Sequence, residues 1–201
     1  MDLGVRAGII ADIPIFLDSM GHTSARDLNR AGLDMEDLAN TEKVIPTDRY
    51  WHFMELAARS TGNAHIGFLY ANRLLPEDWG RSFGGLVFEA PDLHSALFNV
   101  SKYMHYFHNA ITTKVHVNSG NAYLSLTLPR ISGYEESIRM DIEGCVAAWI
   151  NICRSFLGPA WQPTEVHFQH SRPSDMAVFD QAWRCSIRYN SLSFLKTLSG
   201  G

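Results

Sequence analysis

The sequence has few cysteines, and this limits the class of protein it can encode. Cys145, Cys153 and Cys185 are the three cysteines among 201 residues. An odd and sparse set does not form the disulfide framework of a small secreted domain. Cys145 and Cys153 are separated by eight positions on a predicted helix, which is too far for a local disulfide bond. We therefore expect three free, mostly buried thiols in a cytoplasmic protein.

The sequence also lacks an excess of positive charge and a long apolar run. Lysine and arginine number 17 against 21 aspartates and glutamates, which gives a net charge of -4 and a pI of about 6.1. Binding to nucleic acid phosphates needs a basic surface, so this segment is not expected to bind DNA itself. Asp12 and Pro14 interrupt the apolar N-terminal stretch, which argues against a signal peptide, and no run reaches the length of a membrane span.

Catalytic sequence motifs are missing as well. We find no Gly-x-Ser-x-Gly elbow, no glycine-rich phosphate loop and no His-Glu-x-x-His pair. Glu135 and Glu136 are adjacent at a predicted helix start, where carboxylates complement the helix dipole. They therefore suggest helix stabilisation rather than acid–base chemistry, and we do not expect an enzyme.

Nine histidines invite a metal or haem interpretation. His105 and His108 are three apart on a predicted helix, but no cysteine or carboxylate of suitable spacing lies nearby. His167 and His170 are an odd number of positions apart, which places them on opposite faces of a strand. Axial histidine is common in haem proteins, but nothing here fixes one proximal histidine. We therefore expect no metal and no cofactor.

The residues that are abundant indicate a folded domain, since 46% are hydrophobic and 19% are charged. Residues 1–80 show apolar spacing typical of helices. In the first of these, from Val5 to Met20, Pro14 is expected to kink the helix or mark its true start. Stronger helices are predicted from Thr47 to Gly62 and over Ala64–Leu75. We call residues 1–80 the helical lobe.

Residues 81–198 form the predicted sheet-containing lobe. Strict alternation of apolar and polar residues over Ile111–Val117 and Ala122–Leu128 predicts an antiparallel hairpin with a turn near residues 119–120. The other predicted elements are a strand at Phe83–Ala90, amphipathic helices at Leu93–Phe107 and Tyr134–Leu157, a strand containing Val166 and Phe168, a short helix near Ser174–Trp183 and a strand near Ser186–Tyr189. The fold class is therefore α+β, with a helical lobe followed by an antiparallel sheet covered by two amphipathic helices.

Four stretches, in this order, carry a resemblance that no local pattern provides. The sequence is similar to the N-terminal effector domain of one branch of AraC-type transcription regulators, often called arabinose-binding-like. The resemblance rests on Ala31-Gly32-Leu33 to Thr61-Gly62-Asn63, on Phe83-Gly84-Gly85-Leu86 to Ala90-Pro91-Asp92-Leu93, on Trp161-Gln162-Pro163 to His170, and on Trp183-Arg184-Cys185 to Tyr189-Asn190.

This resemblance implies a bacterial ligand-sensing domain over residues 1–198 that binds a small organic effector. In the family a domain with two helix-turn-helix motifs follows; it is absent from this chain, and any DNA contact is expected only through it. A homodimer is compatible with the family type, and a membrane partner is not expected. The alternatives are a stand-alone haem or small-molecule sensor, and an enzyme of unknown type.

Four residues are candidates for effector binding. Tyr103, Tyr106 and Trp149 are large amphipathic side chains on the two helices that are predicted to cover the sheet. Arg139, one turn into the second helix, is suited to receive a carboxylate. A sensor needs a mostly apolar pocket with a few polar anchors. We therefore predict the pocket between the sheet and the helices at Leu93–Phe107 and Tyr134–Leu157.

Overall fold

The computed structural model describes residues 3–75, 78, 81–118, 121–191 and 194–198. The first part of the chain is mainly helical, as predicted. Its helices are α1 (Ala7–Ile10), α2 (Ile13–Ser19), α3 (Ser24–Arg30), α4 (Met35–Ala39), α5 (Thr47–Thr61) and α6 (Ile66–Asn72). Two short strands, β1 (Gly4–Arg6) and β2 (Val44–Pro46), pair antiparallel and fasten the N-terminal segment to the start of α5.

The single helix predicted from Val5 to Met20 is wrong, because the segment forms β1, α1 and α2. Val5 pairs with Ile45 in the small sheet. Pro14 occupies the second position of α2, where its missing amide hydrogen costs no helical hydrogen bond. The alternative that Pro14 marks a true helix start is therefore confirmed.

The second part of the chain contains a five-stranded sheet with the order β3-β4-β7-β5-β6. The strands are β3 (Thr112–Asn118), β4 (Asn121–Thr127), β5 (Glu165–His167), β6 (Ser186–Arg188) and β7 (Phe194–Leu198). The predicted hairpin is confirmed, with Val115 opposite Leu124, while its turn at residues 119–120 lies outside the described residues. β5 and β6 pair parallel, which departs from the purely antiparallel sheet that we predicted.

Four helices accompany this sheet: α7 (Arg81–Phe88), α8 (Leu93–Phe107), α9 (Glu135–Leu157) and α10 (Ala177–Ala182). Asp92 caps α8 by accepting the backbone N–H of Ser95 at 2.7 Å. The strand predicted at Phe83–Ala90 is wrong, because these residues belong largely to α7. Phe83 and Val87 are both buried and lie four positions apart, so the run buries a helical face.

The core is continuous between the two parts of the chain. α8 packs against β3, whereas α9 packs mainly along α6 and also contacts α5, α7 and α8. One apolar cluster includes residues from both sides of residue 80. The division of the chain into a helical lobe and a sheet-containing lobe at this residue therefore stays a prediction. None of the helices among the described residues combines the length and the hydropathy that a membrane crossing needs.

Candidate functional site

A cavity with an open volume of about 80 Å³ lies along α9. The N-terminal segment, α5, α6, the start of α7 and the end of α8 supply its other walls. The walls are mostly apolar and include Ile9, Ile13, Met54, Leu74, Phe83 and Met104. A mostly apolar cleft or cavity with a few polar groups is the usual form of a small-molecule site.

Small residues on α9 leave room for this cavity. Gly144, Cys145 and Ala148 face it at spacings of three and four residues, which place them on one side of a helix. Trp149 lies on the same side and is 1% exposed. A large ring beside small neighbours keeps the facing elements apart without filling the space between them.

One end of the cavity is polar and is organised around Asp141. Its Oδ2 atom accepts the indole N–H of Trp51 at 2.9 Å and lies 3.0 Å from Nε2 of His108. All three side chains are buried. An ionised carboxylate can only accept, so Nε2 of His108 carries the hydrogen of this contact. The pair therefore orients the histidine ring at the end of α8.

Two polar atoms of cavity-lining residues have no hydrogen-bond partner among the described residues. They are Nδ1 of His108 and Nε1 of Trp149, and both are buried. Buried polar groups in folded proteins are normally paired, because an unpaired group loses its hydrogen bonds to water. The cavity walls therefore offer hydrogen-bonding capacity that the described protein atoms do not use.

The electrostatics of the cavity are governed by burial and by Asp141. Burial and the Asp141 carboxylate raise the pKa of Tyr50 well above its usual value, and the same causes raise the pKa of the Cys145 thiol. Both groups are therefore neutral at physiological pH. No lysine or arginine whose side chain the structure describes lines the cavity.

The four predicted site residues occupy different places. Trp149 lines the cavity, but Tyr103, Tyr106 and Arg139 do not. The two tyrosine rings lie 6.4 Å apart on α8, and Tyr106 is 60% exposed. None of the described strands in the five-stranded sheet contributes to the wall, so the cavity lies toward α5 and α6 rather than toward the sheet. Effector contact by the four residues stays a prediction.

Arg139 belongs to a separate buried ion-pair cluster. Its Nη1 donates to Glu143 Oε1 at 2.8 Å, its Nη2 donates to the Ala64 carbonyl at 2.8 Å, and its Nε donates to Glu136. His65 Nδ1 lies 3.0 Å from the other Glu143 oxygen. Burial opposes the charge of Arg139, but Glu143 outweighs it and the pKa of Arg139 is raised. The cluster ties α9 to the segment before α6.

Sequence reasoning missed the pairing of His108 with Asp141. Asp141 stands four residues before Cys145 and therefore on the apolar side of the long helix. A lone carboxylate in such a stripe signals a buried partner, because an unpaired buried charge is costly. The sequence does not reveal which residue the partner is.

The fold and the cavity together define an α+β domain with a mostly apolar cavity along its longest described helix. A family model described as the arabinose-binding domain of AraC transcription regulators, N-terminal, matches residues 21–192. The chain belongs to this family. The predicted resemblance is confirmed, and the coarse function is that of an effector-binding domain of an AraC-type regulator.

The structure is also similar to the crystal structure of the transcriptional regulator CdpR from Pseudomonas aeruginosa. The TM-score is 0.60 at 16% sequence identity, over 87% of this chain and 54% of that chain. At this identity the likeness establishes the fold alone, and the chain spans about half the length of CdpR. A comparison with curated proteins gave no match.

Proposed function

We propose that this domain binds a small organic effector in the cavity along α9 and thereby controls DNA binding by the helix-turn-helix domain of a full-length regulator. The observation that supports this most is the cavity itself. It is bounded by elements from the beginning, the middle and the end of the helical part and by α8 and α9. A molecule in this position touches most of the elements that form the core.

The size of the cavity provides a basis for coupling. Its volume of about 80 Å³ is below the roughly 300–1,000 Å³ of ordinary ligand pockets. A larger effector therefore requires the walls to separate, and it binds better to the separated arrangement. Such a difference in affinity between two arrangements is what a ligand needs to shift a conformational equilibrium.

The walls differ in their ability to move. α6 and α9 are in close backbone contact at Gly67 and Gly144, so this pair forms a rigid side. Another part of the wall consists of the three-residue strand β1 and the four-residue helix α1. Moving these short elements breaks fewer backbone hydrogen bonds than moving a long helix. We propose that the N-terminal segment moves when the effector enters.

A regulatory role is favoured over the alternatives of a stand-alone haem sensor, another stand-alone sensor and an enzyme. Membership of the regulator family supports this preference. Homodimer formation and a cytoplasmic location stay predictions. A visible absorption spectrum of the purified protein tests the haem alternative directly, because bound haem gives an intense Soret band.

A cavity-filling substitution tests the proposed site. Ala148 lies in the cavity wall and is 8% exposed, so Ala148→Leu places extra volume where the effector is proposed to bind. The readout is the rise in unfolding temperature on addition of a metabolite extract from the source bacterium. Binding to the native state raises this temperature, and the stabilisation grows with the logarithm of one plus the ratio of ligand concentration to Kd.

The matched control is Ala25→Leu, which makes the same change at an exposed position of α3. We expect the parent and Ala25→Leu to be stabilised by the extract and Ala148→Leu to be stabilised much less. Equal stabilisation of all three folded proteins would show that the effector binds outside this cavity.

A further inference from the structure

We propose that the effector is an uncharged, mostly apolar molecule of about one ring that carries a hydroxyl group, and that it is neither a sugar nor a charged metabolite. This inference rests on the proposed function, because it takes the cavity along α9 to be the effector site. It is drawn from the residues that line the cavity, the charges around it and the two unpartnered polar atoms.

The apolar walls exclude a sugar. A pentose carries hydroxyl groups around its whole ring, and each one needs a partner when it leaves water. Ile9, Ile13, Met54, Leu74 and Phe83 line the cavity and offer no side-chain hydrogen bonds. Polar side chains are a minority in the wall, so a molecule with few polar groups fits and a polyol does not.

The described charges around the cavity disfavour an anion. Asp141 is 5% exposed and Asp78 also contributes to the wall, whereas no lysine or arginine whose side chain the structure describes lies there. A carboxylate or phosphate in this space would lie close to a buried negative charge without a compensating cation. The hydrogen-bond acceptor on the effector must therefore be a neutral oxygen.

The unpartnered atoms argue against an ammonium and for a hydroxyl group. The indole N–H of Trp149 can only donate, and an ammonium has no lone pair to accept it. His108 donates from Nε2 to Asp141, so in its neutral form Nδ1 is an acceptor. A hydroxyl group can accept from Trp149 or donate to His108, whereas an ammonium can serve only the histidine acceptor.

The size of the space limits the rest of the molecule. A dry engineered cavity of about 150 Å³ binds benzene, and the open volume here is about 80 Å³. A single ring therefore enters with a modest displacement of the walls. Phenol is accordingly the probe that best combines the size, the neutrality and the hydroxyl group.

The experiment compares five probes of similar size by calorimetry and thermal shift: phenol, benzene, benzoate, benzylammonium and L-arabinose. We expect phenol to bind at least roughly fivefold more tightly than benzene, since it adds hydrogen bonds to groups that are otherwise unpaired. Benzoate, benzylammonium and arabinose should not bind at millimolar concentration.

Trp149→Phe keeps an aromatic ring and removes the N–H, so the preference for phenol over benzene should fall roughly fivefold. Trp183→Phe is the matched control. The indole N–H of Trp183 is also buried without a partner among the described residues, but Trp183 does not line the cavity. The control should keep the preference of the parent.

The results of this experiment test the proposed ligand class and the proposed effector site separately. If benzoate, benzylammonium or arabinose binds and Ala148→Leu abolishes that binding, the proposed ligand class is wrong but the cavity along α9 is the binding site. If phenol binds equally well to Ala148→Leu, the cavity is not the site and the proposed function fails. If no probe binds, the class is overturned, and the metabolite-extract experiment judges the proposed function separately.

Discussion

Gly67 and Gly144 face each other where α6 meets α9. A Cβ atom placed on Gly144 would lie 3.0 Å from the Gly67 carbonyl oxygen, and one placed on Gly67 would overlap the carbonyl oxygen of Met140. No larger side chain fits between the two backbones at this point. This contact fixes the position of α9, and with it the position of the cavity wall.

Gly67→Ala should therefore destabilise the domain. The new methyl group meets backbone atoms, which cannot turn aside as a flexible side chain can, so we expect a loss of about 1–3 kcal/mol or more in the free energy of unfolding. Gly144→Ala should cost less, because its closest approach is 3.0 Å. Urea denaturation at constant pH measures both values.

Gly85→Ala is the control for this prediction. Its Cβ atom would approach only the end of the Glu89 side chain, at 3.8 Å. Alanine favours a helix over glycine by about 1 kcal/mol, so this variant should be as stable as the parent or more stable. Equal stability of the Gly67 and Gly85 variants would show that α6 and α9 are not in close contact.

Arg139→Met should be strongly destabilising, because it leaves the fully buried Glu143 carboxylate without its guanidinium partner. Removing one member of a buried ion pair costs about 3–5 kcal/mol. Arg59→Met is the control, since Arg59 is 76% exposed and 3.6 Å from Glu55. Exposed pairs contribute about 0–1 kcal/mol. Similar losses in the two variants would contradict the burial of the Arg139 cluster.

His170 should make the stability of the domain depend on pH. Burial lowers its pKa below the ordinary value of 6.5, and its ring stacks on Phe168. As the pH falls through about 6.5, the unfolded chain takes up a proton before the folded one does, so the free energy of unfolding decreases. The stabilisation is present above this pH and is lost below it.

His170→Gln should weaken this dependence between about pH 7.5 and about pH 5.5, the range in which histidine titrates. Glu143, Arg139 and Glu136 also influence His170 and remain in the variant. His116→Gln, at an exposed position of β3, should leave the dependence unchanged. A His170 variant with the same pH profile as the parent would argue against a neutral, buried imidazole.

The domain alone should not bind duplex DNA in a salt-sensitive manner. Its net charge of -4 provides no basic surface for phosphate contacts. A gel-shift titration at low and moderate salt checks this expectation. Tight binding that weakens steeply with salt would mean that the domain carries a nucleic acid surface of its own.

The local sequence pattern predicted the secondary structure correctly in segments where one apolar periodicity dominates. The alternating residues of β3 and β4 predict their hairpin, and the apolar stripe from Ile138 to Cys153 predicts α9, because a half-buried strand repeats every two residues and a helix about every 3.6. The run from Phe83 to Ala90 was misread as a strand. Short apolar runs do not distinguish the two structures, and here the packing of Phe83 on Phe107, with ring centroids 5.0 Å apart, favours a helix.

The composition of the candidate site was less predictable from sequence than the secondary structure was. Sequence placed Trp149 among the candidates, and the fold brings it to the cavity. It could not show that His108 pairs with Asp141 across 33 positions, or that Arg139 pairs with Glu143, whose carboxylate His65 reaches across 78 positions. Periodicity determines which side of an element is buried, but which buried groups meet depends on how distant helices pack, and close helix contacts such as Gly67 on Gly144 decide that.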